Sequence, residues 1–426
     1  MDSILLSVVI IFNLVTAATS EGIPIRAPSR PNALFLPVQK DAATWLHVSK
    51  IQKGTPQQSL PFLVDLNGKF LQVNCENGYS SSTYTAPFCH STICARAGVH
   101  YCHRCTAQAS RPGCHNNTCA AIVINPLTQK TAVVELAKDV LSIQTITNQA
   151  WVDVPKFLFA CASSSLLKGP LPRNVEGIVG LGHFSVSFPN QLSSHFGFSP
   201  QFSLCFTSSL AKNGAIWFGN VINGVEPRVW ASKSPLYTPL YVNSQGQYFI
   251  QVRAIRINNN PISKPSIFFS RNRGFGGGVE AIISTTTPYT ILDRSLYQIF
   301  SKVFANAMSG ARQVRPVEPF GLCFDTKNFT SNVPKIHFVM QDNKSAKWTI
   351  GGAKSLVQAR EGVSCLGFVD GGLMSPRAPM IIIGVHQMED HLLEFDLARS
   401  RLGFSPPRFF NHKTCAHFNF TSTLSP

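Results

Sequence analysis

Short apolar runs recur along the chain, and each is bounded by glycine, proline, asparagine or serine. Runs of this length between turn-forming residues are typical of β-strands, because helices show longer periodic segments. The 28 prolines and 29 glycines are spread over all 426 residues and disfavour long helices. The pattern therefore predicts an all-β protein with few short helices. The clearest predicted strands are residues 62–64, 157–160, 215–218, 248–252, 281–283, 380–383 and 392–395.

Helical periodicity is limited to a few segments, of which residues 293–308 are the clearest. Leu296, Phe300 and Phe304 would lie there on one face of a helix. Asp293 precedes them and is predicted to cap the helix, because a carboxylate can accept hydrogen bonds from the N–H groups of the first turn. Residues 190–196 predict one further short helix.

The two halves of the chain share a faint repeat, in which an apolar strand ends in a polar turn and a glycine-marked apolar segment follows later. The repeated parts are residues 62–68 and 177–182 in the first half, and 281–287 and 381–384 in the second. Such a duplication predicts two β lobes flanking a cleft, where ligands commonly bind. We place the N-terminal lobe at residues 21–225 and the C-terminal lobe, with its tail, at residues 226–426.

The N-terminus has the features of an export signal. Residues 1–20 are predicted to be a signal peptide, because an apolar stretch is followed by small residues that suit cleavage near Ser20. No later apolar run reaches the length of about 18 residues that a membrane-spanning helix needs. Four Asn-x-Ser/Thr motifs agree with secretion. They predict glycosylation at Asn116, Asn328, Asn343 and Asn419.

The cysteine content also favours an oxidising compartment, because an even number of cysteines can pair completely. Seven cysteines lie in a cysteine-rich insert at residues 75–119, so at least one must bond outside the insert if all are paired. We expect Cys161 to be that partner. The twelve predicted disulfide cysteines are Cys75, Cys89, Cys94, Cys102, Cys105, Cys114, Cys119, Cys161, Cys205, Cys323, Cys365 and Cys415.

A zinc site is the alternative interpretation of the cysteine-rich insert. Cys102-x2-Cys105 and Cys114-x4-Cys119 have ligand-like spacing, and histidines lie nearby. Disulfides are favoured over zinc in an exported chain. No metal and no cofactor is therefore predicted.

The chain is basic, with 37 Lys+Arg, 21 Asp+Glu and a formal net charge of +16. This charge favours association with an acidic partner. Nucleic acid is not the expected partner, because the basic residues are not interleaved with aromatic ones and the chain is predicted to be exported.

Two motifs at the ends of the repeated strands resemble the catalytic loops of the pepsin-type aspartic proteases. That family has Asp-Thr-Gly in the first loop and Asp-Ser/Thr-Gly in the second. This chain has Asp-Leu-Asn at residues 65–67 and Ser-Thr-Thr at residues 284–286. Residues 177–182 and 381–384 match the apolar strands beneath the two loops. The resemblance implies the bilobal β fold of that family.

The similarity is closer to a plant subgroup without proteolytic activity. This subgroup contains the legume basic 7S globulins and γ-conglutins, the extracellular dermal glycoproteins, and the xylanase and endoglucanase inhibitors. By the same resemblance, Cys323 would pair with Cys365, and Cys205 with Cys415. The segments that carry the similarity are residues 63–68, 86–92, 111–119, 319–323 and 365–372.

Peptide cleavage is not expected, because pepsin-type chemistry needs two carboxylates that share one proton. Asp65 supplies one carboxylate, whereas Ser284 offers only a hydroxyl group. Leu66 stands where the family has a bracing threonine, and Thr286 stands where it has a glycine. We therefore predict a protein that is not an enzyme and in which Asp65 and Ser284 are vestigial. Residual aspartic endopeptidase activity is an alternative.

The inhibitor members of the subgroup imply a function in plant defence, namely inhibition of secreted microbial hydrolases that degrade cell walls. The expected partners are endo-β-1,4-glucanases, xyloglucanases or xylanases. In the family, the inserting side chains come from two loops that match residues 310–318 and 371–379. These loops offer Arg312, Arg315 and Arg377. The alternative is that these arginines are solvated surface charges.

The globulin members imply a different function, namely that of a seed storage protein, with peptide binding and homo-oligomer formation as further alternatives. Composition does not discriminate between storage and inhibition. The expected location is the apoplast or cell wall for an inhibitor, and a seed storage compartment for a globulin.

Overall fold

The structure is a computed structural model in which part of the chain is described. The described residues are 31–76, 78–105, 110–146, 149–219, 235–262, 278–327, 332–340, 346–375, 378–405 and 414–417. The predicted signal peptide and the predicted boundary between the lobes lie outside these residues. Within them, β-strands predominate, and the prediction of a β protein with few short helices is confirmed.

The strands of the first half begin at Ala33. They are β1 (Ala33–Lys40), β2 (His47–Lys53), β3 (Gln58–Asp65), β4 (Leu71–Asn74), β5 (Tyr101–His103), β6 (Thr118–Ile124), β7 (Thr131–Thr145), β8 (Trp151–Ala162), β9 (Gly177–Gly180), β10 (Gln201–Cys205) and β11 (Gly214–Gly219).

The strands of the second half begin at Leu236. They are β12 (Leu236–Pro239), β13 (Tyr241–Val242), β14 (Tyr248–Ile257), β15 (Asn260–Pro261), β16 (Val279–Ile283), β17 (Thr290–Leu292), β18 (Gln313–Val314), β19 (Cys323–Asp325), β20 (Ile336–Met340), β21 (Lys347–Ile350), β22 (Leu356–Arg360), β23 (Val363–Leu366), β24 (Phe368–Asp370), β25 (Ile381–Ile383), β26 (Leu392–Asp396) and β27 (Arg401–Phe404).

The described strands form three sheets. The largest has the order β12-β27-β26-β10-β11-β1-β2-β3-β9-β4-β8-β7-β6-β5, so three strands of the second half complete a sheet that is otherwise built by the first half. The second sheet contains β21-β20-β14-β16-β25-β17-β24, with β13 and β15 paired to β14. The third sheet has the order β18-β19-β23-β22.

Four α-helices are described: α1 (Thr92–Arg96), α2 (Phe188–Phe196), α3 (Arg294–Ala307) and α4 (Val385–Met388). Helix α3 confirms the prediction for residues 293–308, and the Asp293 carboxylate caps it by accepting a hydrogen bond from Ser295 N at 3.1 Å. Helix α2 confirms the second predicted helix. It ends at Gly197, whose φ of 81° suits a residue without a Cβ.

Buried aromatic side chains connect the two halves through a shared core. Phe202 from β10 stacks on Phe395 from β26, with ring centroids 4.8 Å apart. Tyr248 from β14 lies 5.2 Å from the same Phe395 ring. All three side chains are buried, so this contact removes a large apolar area from water.

All twelve cysteines are paired in the structure. Cys75 of the cysteine-rich insert bonds to Cys161 outside it, which is the partner expected from the odd number. The two bonds inferred from the family resemblance, Cys205–Cys415 and Cys323–Cys365, are also present. The other three lie within the insert: Cys89–Cys102, Cys94–Cys119 and Cys105–Cys114.

Candidate functional site

The site begins with two loops that leave equivalent strands of the repeat. Strand β3 ends at Asp65 and runs parallel to β9, with Asp65 opposite Gly180. Strand β16 ends just before Ser284 and runs parallel to β25, with Ile283 opposite Ile383. In both halves, a glycine-marked apolar strand therefore supports the strand that delivers the polar loop, as the sequence repeat predicts.

Thr285 holds the two loops together. Its hydroxyl donates a hydrogen bond to Val64 O at 2.8 Å and accepts one from Leu66 N, also at 2.8 Å. The Thr285 side chain is fully buried. The first loop contributes no matching hydroxyl, because position 66 is a leucine. Only the second loop, through Thr285, therefore supplies a hydroxyl group that links the two loops.

Asn67 supplies the connection in the opposite direction. Its Nδ2 donates to Ile283 O at 2.8 Å, and its Oδ1 accepts from Tyr248 N at 3.1 Å. The side chain of the first loop thus bonds the backbone of two strands in the second half. Sequence analysis identified the loss of the hydroxyl at Leu66 but missed this amide. The available signal was a polar side chain at the third position of the motif, where the protease family has glycine.

Asp65 is a buried carboxyl group that has no charged neighbour among the described residues. Its side chain is 7% exposed, and its Oδ1 accepts a hydrogen bond from Asn67 N at 3.0 Å. Burial raises the pKa of Asp65 to about 6, while the backbone N–H groups of Asn67 and Gly68 act in the opposite direction. Asp65 therefore has the environment of a structural carboxyl group in a tight turn.

Ser284 lies among hydroxyl groups in the second loop. Its Oγ is 2.8 Å from the Thr287 hydroxyl and 3.3 Å from the Thr286 hydroxyl. Its N–H donates to Ile383 O at 2.9 Å. Of the two loops, only the first contains a carboxylate. The second can donate and accept hydrogen bonds, but it cannot share a proton with a second acid.

A hairpin of the first half has its turn between Ile124 and Thr131. Strands β6 and β7 form this hairpin, and Asn125 closes its turn by accepting hydrogen bonds from Leu127 N and Thr128 N at 2.9 and 3.2 Å. The Asn125 amide also donates to Leu166 O at 2.8 Å. The turn is thus fixed by an asparagine, and it contains no tyrosine.

The first predicted contact loop lies beside the third sheet. Arg312 and Arg315 flank β18, and both are exposed. The loop is anchored by pairing of β18 with β19, by the bond from Asp325 N to Arg312 O at 2.9 Å, and by the Cys323–Cys365 disulfide. The two arginine side chains are therefore presented from a fixed backbone.

The second predicted contact loop is held at the start of α3. Arg294 Nε lies 3.2 Å from Asp370 Oδ2, and Met374 N donates to Asp293 Oδ2 at 3.2 Å. Leu373, between these anchors, is 80% exposed. Arg377, the third predicted contact residue, lies outside the described residues.

Helix α3 connects the two contact loops. Its first turn anchors the second loop, and its Tyr297 lies against Gly321, just beyond the first loop, where a Cβ would be 2.6 Å from the Tyr297 hydroxyl oxygen. Sequence analysis predicted the helix and its cap, but not that the capping residue Asp293 also fixes a neighbouring loop.

The cysteines and the glycosylation motifs can also be located. Each cysteine of the alternative zinc interpretation lies in a disulfide, so its sulfur is not available as a thiolate ligand. Asn116 is exposed, and its Oδ1 accepts a hydrogen bond from Cys105 N at 2.8 Å. The other three motifs, at Asn328, Asn343 and Asn419, lie outside the described residues.

In the comparison with known proteins, the two halves of the chain match two different family models. Residues 47–220 match the family model described as xylanase inhibitor N-terminal, and residues 247–406 match the one described as xylanase inhibitor C-terminal. The gamma conglutin 1 of Prunus dulcis is 49% identical over 401 residues, which cover 92% of this chain and 91% of that protein. The chain belongs to the gamma conglutin and basic 7S globulin family.

Solved structures agree with this assignment. Conglutin gamma from lupine seeds, a basic 7S globulin, is 46% identical to this chain and superposes on it with a TM-score of 0.82. The aligned part covers 91% of this chain and 98% of the lupine chain. An aspartic proteinase from Irpex lacteus is only 15% identical, but it superposes on this chain with a TM-score of 0.61. The aligned part covers 90% of this chain and 99% of the proteinase chain. The gamma conglutin family member described here therefore has the pepsin-like fold, and the resemblance noted in the sequence is confirmed.

Proposed function

We propose that this protein is a secreted, catalytically inactive homologue of the aspartic proteases that inhibits glycoside hydrolases which degrade plant cell walls. The observation that carries the proposal is the match of both halves to xylanase-inhibitor family models, in a chain whose second loop has Ser284 in place of a carboxylate. Its place of action would be the apoplast or cell wall.

The site chemistry supports inactivity. A peptide-cutting pair needs one carboxylate as base and one carboxyl group as acid, kept apart in pKa by their mutual repulsion. Asp65 has no acidic partner in the opposite loop, and Ser284 is surrounded by the hydroxyl groups of Thr286 and Thr287. Loss of one member of such a catalytic unit removes most of its rate.

The proposed inactivity is tested by digestion of a denatured protein at acid pH. The pure protein should give no peptide release above that of its Asp65→Asn variant, with or without a transition-state-mimicking inhibitor. Turnover that the inhibitor blocks and that the Asp65→Asn variant lacks would contradict the proposal and favour the endopeptidase alternative.

Binding is supported by arginines on anchored loops. A retaining glycosidase holds two carboxylates about 5 Å apart in its cleft. A guanidinium group placed between them can form charge-assisted, bidentate hydrogen bonds. Arg312 and Arg315 project from a loop that is fixed by strand pairing and a disulfide, so binding would require little ordering of the backbone. The net charge of +16 would also accelerate encounter with an acidic enzyme.

The inhibitor function predicts a 1:1 complex with an endo-β-1,4-glucanase, a xyloglucanase or a xylanase, whose affinity falls as salt rises. Arg377→Ala should weaken binding more than any other single arginine substitution, and Arg312→Ala and Arg315→Ala should weaken it less. Arg360→Ala is the matched control, because Arg360 is exposed in β22, outside both loops. A panel of secreted microbial hydrolases, tested by inhibition and by calorimetry, gives the answer. If none binds, or if Arg377→Ala has no effect, the inhibitor function is wrong.

Storage is the second candidate, favoured by one observation. The similar proteins are named gamma conglutin and basic 7S globulin, and the solved lupine protein comes from seeds. A storage protein would accumulate to high abundance in seed tissue and would bind none of the hydrolases. Peptide binding or homo-oligomer formation would be compatible with the storage function. Measuring abundance across tissues together with the hydrolase panel separates the two functions.

A further inference from the structure

A polar groove crosses the outer face of β1, β2 and β3, away from the loops of Asp65 and Ser284. Its volume is about 700 Å³, within the range of roughly 300–1,000 Å³ that ligand pockets have. Its floor is formed by side chains at alternating positions, including Gln39, Lys50 and Gln52, because successive residues of a strand point to opposite faces. In the pairing of the strands, Lys50 lies opposite Pro61 of β3.

Four polar side chains that line this groove are free to bind a ligand. Within the described part of the chain, the side chains of Gln39, Lys50, Gln52 and Arg173 form no hydrogen bond or ion pair with one another or with their neighbours. These side chains therefore contribute no hydrogen bond or ion pair of their own to the stability of the fold. They are available to a ligand.

The other charged residues of the groove are already satisfied. The Lys40 ammonium is buried and lies 2.7 Å from Glu389 Oε1. The Asp41 carboxylate accepts hydrogen bonds from Thr44 N and from the Thr44 hydroxyl at 2.8 and 2.7 Å. The free charges that remain are therefore both positive, at Lys50 and Arg173.

One wall of the groove carries an aromatic surface. Trp151 begins β8 and is 45% exposed, although a tryptophan is usually more deeply buried. An exposed indole offers a flat apolar face with a polar N–H at its edge. Gln144 lies opposite Trp151 in the pairing of β7 with β8, and its amide can both donate and accept hydrogen bonds.

We propose that this groove binds an acidic oligosaccharide, one that contains uronic acid residues. The indole of Trp151 would stack on the apolar face of a sugar ring, and Gln39 and Gln52 would bond its hydroxyl groups. Lys50 and Arg173 would hold the carboxylates by charge-assisted hydrogen bonds. An acidic peptide could also pair with the two cations and the amides, but a sugar ring additionally offers the flat apolar face that the exposed indole of Trp151 can cover. This site is separate from the hydrolase-binding loops.

The proposal is tested by titration calorimetry of the mature protein with tetragalacturonate at low ionic strength. Binding is expected, with an affinity that falls as salt rises. Trp151→Ala should weaken it at least tenfold, whereas Trp151→Phe should retain most of it. Arg173→Gln should weaken binding severalfold and reduce its salt dependence. Lys302→Gln is the matched control and should have no effect, because Lys302 is an exposed cation on α3, remote in sequence and absent from the groove lining.

The comparison ligands are cellotetraose, a tetraglutamate peptide and inorganic sulfate. Tetragalacturonate should bind more tightly than all three. The proposal is overturned if tetragalacturonate does not bind at millimolar concentration, or if Trp151→Ala leaves its affinity unchanged. Equal binding of tetraglutamate would identify a peptide site instead, and equal binding of sulfate would identify a simple anion site. Because neither Trp151 nor Arg173 belongs to the contact loops, hydrolase inhibition should be the same in these variants.

Discussion

Lys40 and Glu389 form an ion pair inside the protein, with Nζ 2.7 Å from Oε1 and side chains that are 3% and 1% exposed. Lys40 is the last residue of β1, and Glu389 follows α4. The pair therefore joins the first described strand to a turn of the second half. A buried charge that loses its partner is far more destabilising than a broken pair at the surface.

Lys40→Met should lower the free energy of unfolding by up to about 3–5 kcal/mol, because the buried Glu389 carboxylate would keep only His386, 3.7 Å away, as a close partner. Urea denaturation at neutral pH measures the change. Arg399→Met is the matched control: Arg399 pairs with Asp396 at 3.1 Å, but its side chain is 67% exposed. Loss of this pair should cost about 1 kcal/mol or less, because the Arg399 end is solvated and the buried Asp396 carboxylate keeps Arg401 at 2.8 Å. Similar losses in the two variants would argue against an internal role for Lys40.

Two buried histidines should make the protein sensitive to acid. Burial lowers the pKa of His47 and of His391 to about 4. An unfolded histidine has a pKa of about 6.5, so the unfolded chain binds more protons between these values. The stability that depends on the neutral histidines is therefore present above about pH 6.5 and is lost as the pH falls toward 4.

His47→Phe should make the fall in stability between pH 6.5 and pH 4.5 shallower. Phenylalanine can keep the stacking on Phe206, whose ring centroid is 4.4 Å away, but it does not titrate. Each titrating histidine contributes at most about 1.4 kcal/mol per pH unit. Unfolding free energies measured across this pH range test the prediction. His183→Gln, at an exposed position, serves as the control, and an equal change in its slope would count against buried His47 as the cause.

Asp65 should have the opposite pH dependence. Burial raises its pKa to about 6, so the native state favours the protonated carboxyl group, and stability is lost as the pH rises from about 4 through 6. Asp65→Asn cannot ionise and should raise the free energy of unfolding at pH 7 by up to about 3 kcal/mol, with little change at pH 3.5. The comparison of the two pH values is the measurement. Destabilisation at pH 7 would instead mean that the turn N–H groups hold an ionised carboxylate.

Thr285→Val should loosen the two-loop site. Valine preserves the shape but leaves Leu66 N and Val64 O buried without a partner, at a cost of about 2–4 kcal/mol for the two groups. Thr285→Ser keeps the hydroxyl and should cost less. Denaturation of both variants measures the difference. If valine is no more destabilising than serine, the two hydrogen bonds of the hydroxyl are not what stabilises this position.

Local patterns allowed much of the fold to be predicted. The strand ending at Asp65 and the helix capped by Asp293 were identifiable because period, turn residues and capping residues are all encoded within a few neighbouring positions. The repeated pairing of Leu63 with Ile178, and of Ala281 with Ile381, was also visible as a duplicated pattern of apolar runs and glycines.

Contacts between distant parts of the chain could not be predicted in this way. Lysine side chains are usually exposed, but Lys53 is fully buried, and its Nζ donates a hydrogen bond to the Tyr79 hydroxyl at 2.6 Å. The hydrogen bond between Thr285 and Leu66 and the pairing of Lys40 with Glu389 reach further, because they join the two halves. No local period reports such partners, because they depend on how the halves meet.

The Cys205–Cys415 bond encloses nearly the whole second half of the polypeptide in one covalent ring. A single protease cut anywhere between these two cysteines opens that ring without separating the fragments. Strand β10, before the ring, also remains hydrogen-bonded to β26 within it. A cleaved molecule should therefore migrate as one species in electrophoresis without a reducing agent, and as two fragments once thiol is added.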